Sequence, residues 1–553
     1  MPDDALPFLE LQPDPAARLD AQVLLKAAFG HVRAGDWGTA ARLALQILRI
    51  DEACGEAWHI VAVNREKAGD LAHALTCYES ALRFLPDSPH LCNDVGRLAL
   101  RMGMETVAES FFRRVLAVQA ANTEAINNLA TVLRDTGRLD EAVAVLRPAL
   151  ETSPGQARLW NVLGTVLDAQ GDAQTAAIFY AEALKLDPNL AHARNNYGHS
   201  LLASGNASNA LVHLKRALPD LVGPDNIRTC AMGIAHCHLA LGDLDAGWQA
   251  YAARHLAGTM DSLDWQVACP RWQGEDLSGR LILVSAEQGL GDEVMFAGLL
   301  PDLIAEARDG QVTVAVEPRL VALFQRSFPA CRVIAHRTVT NGSIRQRSFV
   351  GEDAYDLWLP MGDLLGRYRA KLSDFPARPF LTPNAGRTDN WRKTLDSHTA
   401  KPRIGVLWKS LVQHSHRDRF YADFAHWRDV LTLNGIQFVN LQYGDVTEDL
   451  TGLDLWTPDI NLKNDLDDVA ALCGALDGVI GPANATSNIA AAIGTPTWIL
   501  SPQNAWTCLG TDHLPWYPNA QAVFAAPGQW QDGLAALRNI LSARFSAPYT
   551  GSN

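Results

Sequence analysis

The stretch TEAINNLATVLRDTGRLDEAVAVLRPA, Thr123 to Ala149, decides the fold of the first half of this chain. It sets apolar residues at helical spacing on both sides of Gly137, and the same arrangement returns 34 residues earlier and later. Outward from it, between Gly55 and about Pro224, four columns hold register. Gly69, Gly103, Gly137, Gly171 and Gly205 form one, and Ala74, Ala108, Ala142, Ala176 and Ala210 another. Tyr78, Phe112, Leu146, Tyr180 and Leu214 form the third, and Ala81, Val115, Ala149, Ala183 and Ala217 the fourth. A 34-residue period with a central glycine predicts two amphipathic helices per unit, with the chain reversing where glycine tolerates positive φ. The alanines belong where helices cross closely, and the bulky column fills the space between neighbouring units. Pro86, Pro154 and Pro188 open the turn into the next unit, because a helix cannot continue through them. Such an array buries its core by stacking and presents an extended binding face.

The pattern resembles the tetratricopeptide repeat, whose other signature places are taken by Trp58, Trp160, Gly96, Gly164 and Gly198. A weaker copy precedes it, from Ala21 to about Glu52 with Gly35 and Ala40. Another follows from Arg228 with Gly242, Trp248 and Tyr251, so five clear units lie between two degenerate ones. The predicted architecture is multidomain: a tail over 1–20, an all-α solenoid over 21–261, and two α/β lobes over 262–390 and 391–553.

Composition narrows the function. A formal net charge of −14 argues against nucleic acid or anionic lipid as a partner. No apolar stretch approaches the roughly 20 residues of a membrane span. The start, MPDDALPFLELQPD, lacks a basic segment followed by an apolar one, so no secretion signal is expected. Nine cysteines without a CxxC pair predict reduced thiols, with neither a zinc site nor a disulfide framework. The expected compartment is cytoplasmic.

Beyond Asp261 short apolar runs alternate with helical spacing. Arg280–Ser285, Val312–Val316, Arg332–Ile334 and Asp356–Leu359 read as buried strands of one parallel sheet. After the proline-marked Phe375–Pro383, a second series begins: RIGVLW from Arg403, IQFVNLQ, GVIGP and TPTWIL. Helical segments lie between, including Asp465–Leu476 and Ala485–Ile493. Two small α/β lobes predict a ligand in a cleft outside the carboxyl ends of their strands.

Three segments carry candidate chemistry. Gly289-Leu-Gly291-Asp292 follows the first strand and opens a helix; the glycines permit close backbone approach and Asp292 is a candidate general base. The competing reading makes Asp292 a helix cap. Lys409, with Arg417 and Arg419 in the loop LVQHSHRDRFY, supplies cations for a phosphorylated donor, against the alternative of a solvated basic loop. His414 and His416 have no acidic partner at metal-ligand spacing, so no metal is expected. In Gly481-Pro-Ala-Asn-Ala-Thr-Ser-Asn488, backbone N–H groups with Thr486 and Ser487 suit phosphate at a helix start, while Asn484 and Asn488 serve equally as caps. Trp506 is expected to line the cleft. In the repeats, Asn128 and Asn196 hold equivalent places on the first helix of their units, where an amide either pairs with peptide backbone without reading sequence or is simply an exposed polar residue.

From Arg280 to about Ser542 the chain resembles the GT-B glycosyltransferases of the ADP-heptose:lipopolysaccharide heptosyltransferase type, through GLGD, GVLW, NIAAAIGTP and PWYPN. The resemblance implies two Rossmann-like lobes, Asp292 as base on the acceptor hydroxyl, and Lys409 on donor phosphate. The family's Asp-Thr-Gly-x-x-His run is replaced here by Ala483, Asn484, Ala485 and Asn488, which counts against a heptose donor. A repeat array joined to such lobes is also similar to O-GlcNAc transferase and, in layout, to bacterial flagellin glycosyltransferases. HSHRDRFY and GPANATSNIAAAIGTP resemble the latter group.

The combined expectation is a metal-independent protein O-glycosyltransferase with no cofactor beyond its nucleotide-sugar donor. It would move a CMP-activated nonulosonic acid such as pseudaminic acid to Ser or Thr of flagellin held by the repeats. Asp292 would be catalytic; Gly289, Gly291, Lys409, Arg417, Arg419, Asn484, Thr486, Ser487 and Asn488 would bind donor; Asn128 and Asn196 would bind acceptor. Two alternatives stay open: a transferase acting on lipopolysaccharide or another glycan, and a non-catalytic scaffold.

Overall fold

The computed structural model describes residues 15–259, 262–287, 289–341, 344–349, 354–410, 421–526 and 529–545. The chain divides into two compact units, one running to Gln170 with Lys185–Pro188, the other comprising Gly171–Leu184 and Asn189–Asn553. The first holds four helix pairs, Pro15–Arg33 with Trp37–Ile50, Gly55–Lys67 with Leu71–Phe84, Pro89–Arg101 with Glu105–Val118, and Thr123–Asp135 with Leu139–Thr152. The helix Ala157–Ala169 follows them. The second takes the helix Ala173–Leu186 as far as Leu184, followed by the pairs Ala191–Ala203 with Ala207–Ala217 and Pro224–Ala240 with Leu244–Tyr251.

The glycine column turns the chain as its spacing predicts. Gly35, Gly69, Gly103, Gly137, Gly171, Gly205 and Gly242 all have φ between 70° and 88°, the degenerate flanking units included. The next residue often caps the second helix: Asp36, Asp70, Asp172, Asn206 and Asp243 accept from backbone N–H groups three residues on. The alanine column is buried throughout, and so are Tyr78, Phe112, Leu146, Tyr180 and Leu214. In the fourth column Ala149 alone is only partly buried. Gly96 and Gly198 have a different reason to be glycine. A Cβ there would stand 2.6 Å from the Phe112 ring or 2.7 Å from Leu214 Cγ.

The rest of the second unit is built on two six-stranded sheets. The first contains β1 (Ser262–Trp265), β2 (Leu281–Ser285), β3 (Gln311–Val316), β4 (Arg332–Asn341), β5 (Ile344–Phe349) and β6 (Leu357–Pro360), in the order β1-β5-β4-β3-β2-β6. Strands β4, β3, β2 and β6 are parallel, as expected, but β5 runs antiparallel to β4 and pairs on its far side with β1. The four strands read from sequence are thus the parallel ones, and β1 and β5 are additions that reading did not contain. Beyond buried His336 the β4 half of the hairpin is exposed from Arg337 to Asn341, and in β5 only Arg347 is buried, so the pair lacks the continuous apolar run that marks a buried parallel strand. Its sequence signal is the Asn341-Gly342 dipeptide.

The second sheet contains β7 (Arg403–Val406), β8 (Gln437–Asn440), β9 (Leu455–Trp456), β10 (Gly478–Pro482), β11 (Thr497–Pro502) and β12 (Ala520–Ala525). All its pairings are parallel, in the order β12-β11-β10-β7-β8-β9. Counted from β7, this is the doubly wound order, whose direction reverses between β7 and β10. In the first sheet the parallel strands reverse in the same way between β2 and β6.

Within this unit the last helix pair shares its core with the lobes: Leu239, Trp248 and Tyr251 belong to one buried cluster with Ile282, Val284, Ile489 and Trp516. Trp248 Nε1 donates to Arg369 O at 2.8 Å, and Trp248 and Trp506 both meet Trp516 edge-on. Gly510 lies so close to Gly242 that a Cβ would be 2.7 Å from the Gly242 nitrogen. His236 stacks on Trp506 with ring centroids 5.4 Å apart.

These contacts make two expectations measurable. Gly137 has φ 76°, and a Cβ added there would meet nothing within 4 Å, so substitution costs only backbone freedom. Gly137→Ala should cost about 1–2 kcal/mol and Gly137→Asn distinctly less, because Asn tolerates the left-handed region. Gly96→Ala, which overpacks Phe112, should cost about 1–3 kcal/mol with no relief from Asn; urea denaturation followed by helical circular dichroism distinguishes the two. Burial first, and neighbouring His199 second, depress the His236 pKa to about 4. The native state therefore binds fewer protons than the unfolded chain between that value and the ordinary histidine range, so its stability falls as pH drops through this window. Melting curves at pH 7 and pH 5 should separate less in His236→Gln than in the parent chain.

Candidate functional site

Strand β2 ends at the reversal point of its sheet, and the chain after it enters the helix Leu290–Phe296. Asp292 lies in the first turn of that helix, half-buried, with Oδ2 accepting from Gly289 N–H at 3.4 Å. Its neighbour Glu293 is committed elsewhere: buried, it accepts from Glu317 N–H at 2.9 Å and lies 3.1 Å from His336 Nε2. Asp292 therefore combines the capping and candidate-base readings, since the cap bond is long and a carboxylate accepts at several lone pairs. The Tyr517 hydroxyl is buried without a hydrogen-bond partner among the described residues. Burial first, and the negative charge of Asp292 second, hold this phenol well above its ordinary pKa.

In the second lobe β10 leads into the helix Ala485–Ala492. Asn484 caps it: Asn484 Oδ1 accepts from Ser487 N–H at 3.1 Å, and Ser487 Oγ accepts from Asn484 N–H at 2.9 Å. Ser487 also donates to Pro482 O at 2.8 Å and is wholly buried, so its hydroxyl is engaged within the loop. Thr486 is buried as well. Asn484 Nδ2 is buried with no partner among the described residues. Asn488 reaches across to the first lobe, donating from Nδ2 to Gly291 O at 3.0 Å. A Cβ on Gly291 would sit 3.2 Å from that amide nitrogen and 3.8 Å from Ala485 N. Gly291, between Gly289 and Asp292 in this turn, is thus brought against Asn484 and Asn488 at the amino end of a helix, where backbone N–H groups and the helix dipole favour an anion.

Lys409 follows β7 on the other side of the second reversal point. Its Nζ lies 2.6 Å from Asp449 Oδ2, which also accepts from Trp408 Nε1 at 3.0 Å. Gln442, almost fully buried, takes the backbone N–H groups of both Trp408 and Lys409 on one Oε1, each at 2.9 Å. Asp449 and Gln442 were not candidates from sequence, because neither stands in a recognisable motif; only their position just beyond β8 could have drawn attention to them. Arg417 and Arg419, with His414 and His416, lie outside the described residues. Trp506 packs against His236 and Tyr251 at the junction with the last helix pair, so its expected place in the cleft is corrected.

In the repeats, Asn128 is half-buried and donates from Nδ2 to Asn93 Oδ1 of the preceding helix pair at 3.1 Å. Asn196 is half-buried too. A longer column was missed: Asn93, Asn127, Asn161 and Asn195 recur every 34 residues, one place ahead of Asn128 and Asn196. The buried Asn195 Oδ1 has no partner among the described residues. The register that revealed the glycine and alanine columns contained this signal. Among the described residues no helix is long and apolar enough to cross a membrane.

Comparison with known proteins bears on both halves. The tetratricopeptide repeat family model matches residues 127–191. The crystal structure of PilW, a widely conserved type IV pilus biogenesis factor, aligns with a TM-score of 0.34 and 20% identity over 38% of this chain and 97% of PilW. The BBSome complex member bbs-4 of Caenorhabditis elegans is 31% identical over 97 residues, 17% of this chain and 21% of that protein. Protein FlbA of Caulobacter vibrioides is 40% identical over 551 residues, 97% of this chain and 92% of FlbA. That similarity takes in the repeats and both α/β lobes together, and the chain belongs to the FlbA family.

Proposed function

We propose that this protein is a glycosyltransferase of GT-B architecture that modifies Ser or Thr hydroxyls of flagellin with a CMP-activated nonulosonic acid. One observation carries the reading: the Gly289–Asp292 loop and the Asn484–Asn488 cap meet across two doubly wound lobes, each at the point where its strand order reverses. A donor phosphate at the amino end of Ala485–Ala492 would face Asn484 Nδ2, which has no partner among the described residues, with Lys409 beyond β7 as counter-charge once it leaves Asp449. Asp292 would take the proton of the acceptor hydroxyl. The asparagine column supports a polypeptide acceptor, since amides pair with an extended backbone whatever its side chains. The flagellin acceptor and the nonulosonic acid rest on the resemblance of the second lobe's loops to flagellin glycosyltransferases. No metal or further cofactor enters this scheme.

A second reading, a scaffold that has lost catalysis, is favoured by a specific observation. Ser487 is engaged by its own cap, Asn488 by Gly291, and Lys409 by Asp449, so three groups assigned to the donor are internally satisfied.

Incubating the full chain with flagellin and a CMP-nonulosonic acid should add one or more sugar masses to flagellin, read by intact-protein mass spectrometry. Asp292→Asn should lower that rate by about 100-fold or more, in the range of a lost general base, with donor affinity retained. Transfer at the parent rate would remove Asp292 from the mechanism, and no nucleotide-sugar binding by the parent chain would leave the scaffold reading. Gly291→Ala pushes the Asn488 amide away at the lobe junction, so it should weaken donor binding while leaving flagellin capture by the repeats unchanged.

A further inference from the structure

We propose that Arg254 is a positioning residue that ties the last helix pair of the repeats to the loop bearing Asp292. This rests on the reading of Gly289–Asp292 as part of the reactive site.

Arg254 lies in the short turn Ala252–His255 that ends the repeats. Its guanidinium grips both oxygens of Glu287, from Nε at 3.1 Å and Nη2 at 3.0 Å. Nη2 also donates to Asp363 Oδ1 at 2.7 Å, and Nη1 to Tyr251 O at 3.2 Å. Glu287 follows β2 and stands two residues before Gly289; it is 2% exposed, and its Oε1 takes the Gly362 N–H at 2.8 Å as well. A Cβ on Gly362 would stand 2.4 Å from that oxygen, so the carboxylate can take this place only because residue 362 has no side chain. Asp363 is held in turn by His255 Nε2 at 3.0 Å and by Arg271 Nε at 2.8 Å.

Glu287 and Asp363 follow β2 and β6, the two strands between which the first sheet reverses, and the cation joining them comes from the repeats. A carboxylate this deeply buried keeps its place only while its cation does. The entry to the Gly289–Asp292 loop is therefore fixed by a residue of the arm that would hold the acceptor, and a small displacement of that arm reaches Asp292 through two bonds to one carboxylate. Arg254 touches neither donor nor acceptor in this scheme; it acts through Glu287.

Arg254→Lys keeps the charge and removes the two-pronged grip. The expected result is a fall in kcat of about 10-fold or more with acceptor KM within about 2-fold, because misplacing a reacting group costs turnover rather than binding. Amide hydrogen exchange, which needs no activity, should quicken at Gly289–Asp292 and stay unchanged in the helices before Ala203. His255→Gln, which loses the bond to Asp363 and an edge contact with Trp265 but no bond to Glu287, should leave exchange in that loop as in the parent chain and guards against a general loss of folding. Unchanged loop exchange in folded Arg254→Lys overturns the proposal, and so does a raised acceptor KM with kcat preserved. If the parent chain transfers no sugar, the proposed activity fails, and the exchange comparison still decides whether Arg254 sets the loop.

Discussion

The approach of Gly291 to the amino end of the helix Ala485–Ala492 is the constraint on which the candidate site depends. It is tightest with a residue lacking a side chain at 291, and it uses an amide at 488 to donate to the 291 carbonyl and two sheets whose reversal points face the same junction. Each requirement is met by a different part of the chain. The loop is carried by β2, the cap by β10, and β2 is itself anchored through Glu287 to an arginine from the repeats. The arrangement brings the positive end of a helix against the residue next to a half-buried carboxylate, an end at which an anion is favoured.

Much of the polar equipment is satisfied internally. Lys409 is neutralised by Asp449, and the Asn484–Ser487 pair closes on itself. Such pairing holds side chains in place with little net stabilisation in water, and a ligand of greater charge than one carboxylate can displace Asp449. Two donors stand apart from this pattern, the Tyr517 hydroxyl and the Asn484 amide, both buried and partnerless among the described residues. A buried donor left unmade costs about 1–3 kcal/mol, and its persistence at a lobe junction fits a site that is completed by what it binds.

The repeats were legible because their signal is redundant. Seven glycines share one backbone conformation, and five bulky residues share one packing role, so register alone locates every turn. The central strands of both sheets were legible for a related reason, since burial on both faces leaves an apolar run such as Leu281–Ser285. Edge strands β1, β9 and β12 and the β4–β5 hairpin were not, because a strand partly open to water carries no continuous apolar run, and β1 and β9 are short besides. At the site, the motif residues Gly291, Asp292, Asn484 and Asn488 could be read, but Asp449, Gln442 and Tyr517 could not. Their roles come from contacts with residues tens to hundreds of positions away, which no local pattern encodes. Trp506 shows the converse error, for a residue following a strand end was assigned to the cleft when an aromatic cluster with His236 and Tyr251 held it at the repeats.

The central claim is that the two loops meeting at Gly291 form one donor-phosphate site. Amide hydrogen exchange of the full chain with and without a CMP-activated sugar tests it most directly. Exchange should slow at Gly289–Asp292 and at Asn484–Asn488 together, in one saturable step. Protection of only one of the two loops, or of neither at saturating donor, would contradict it.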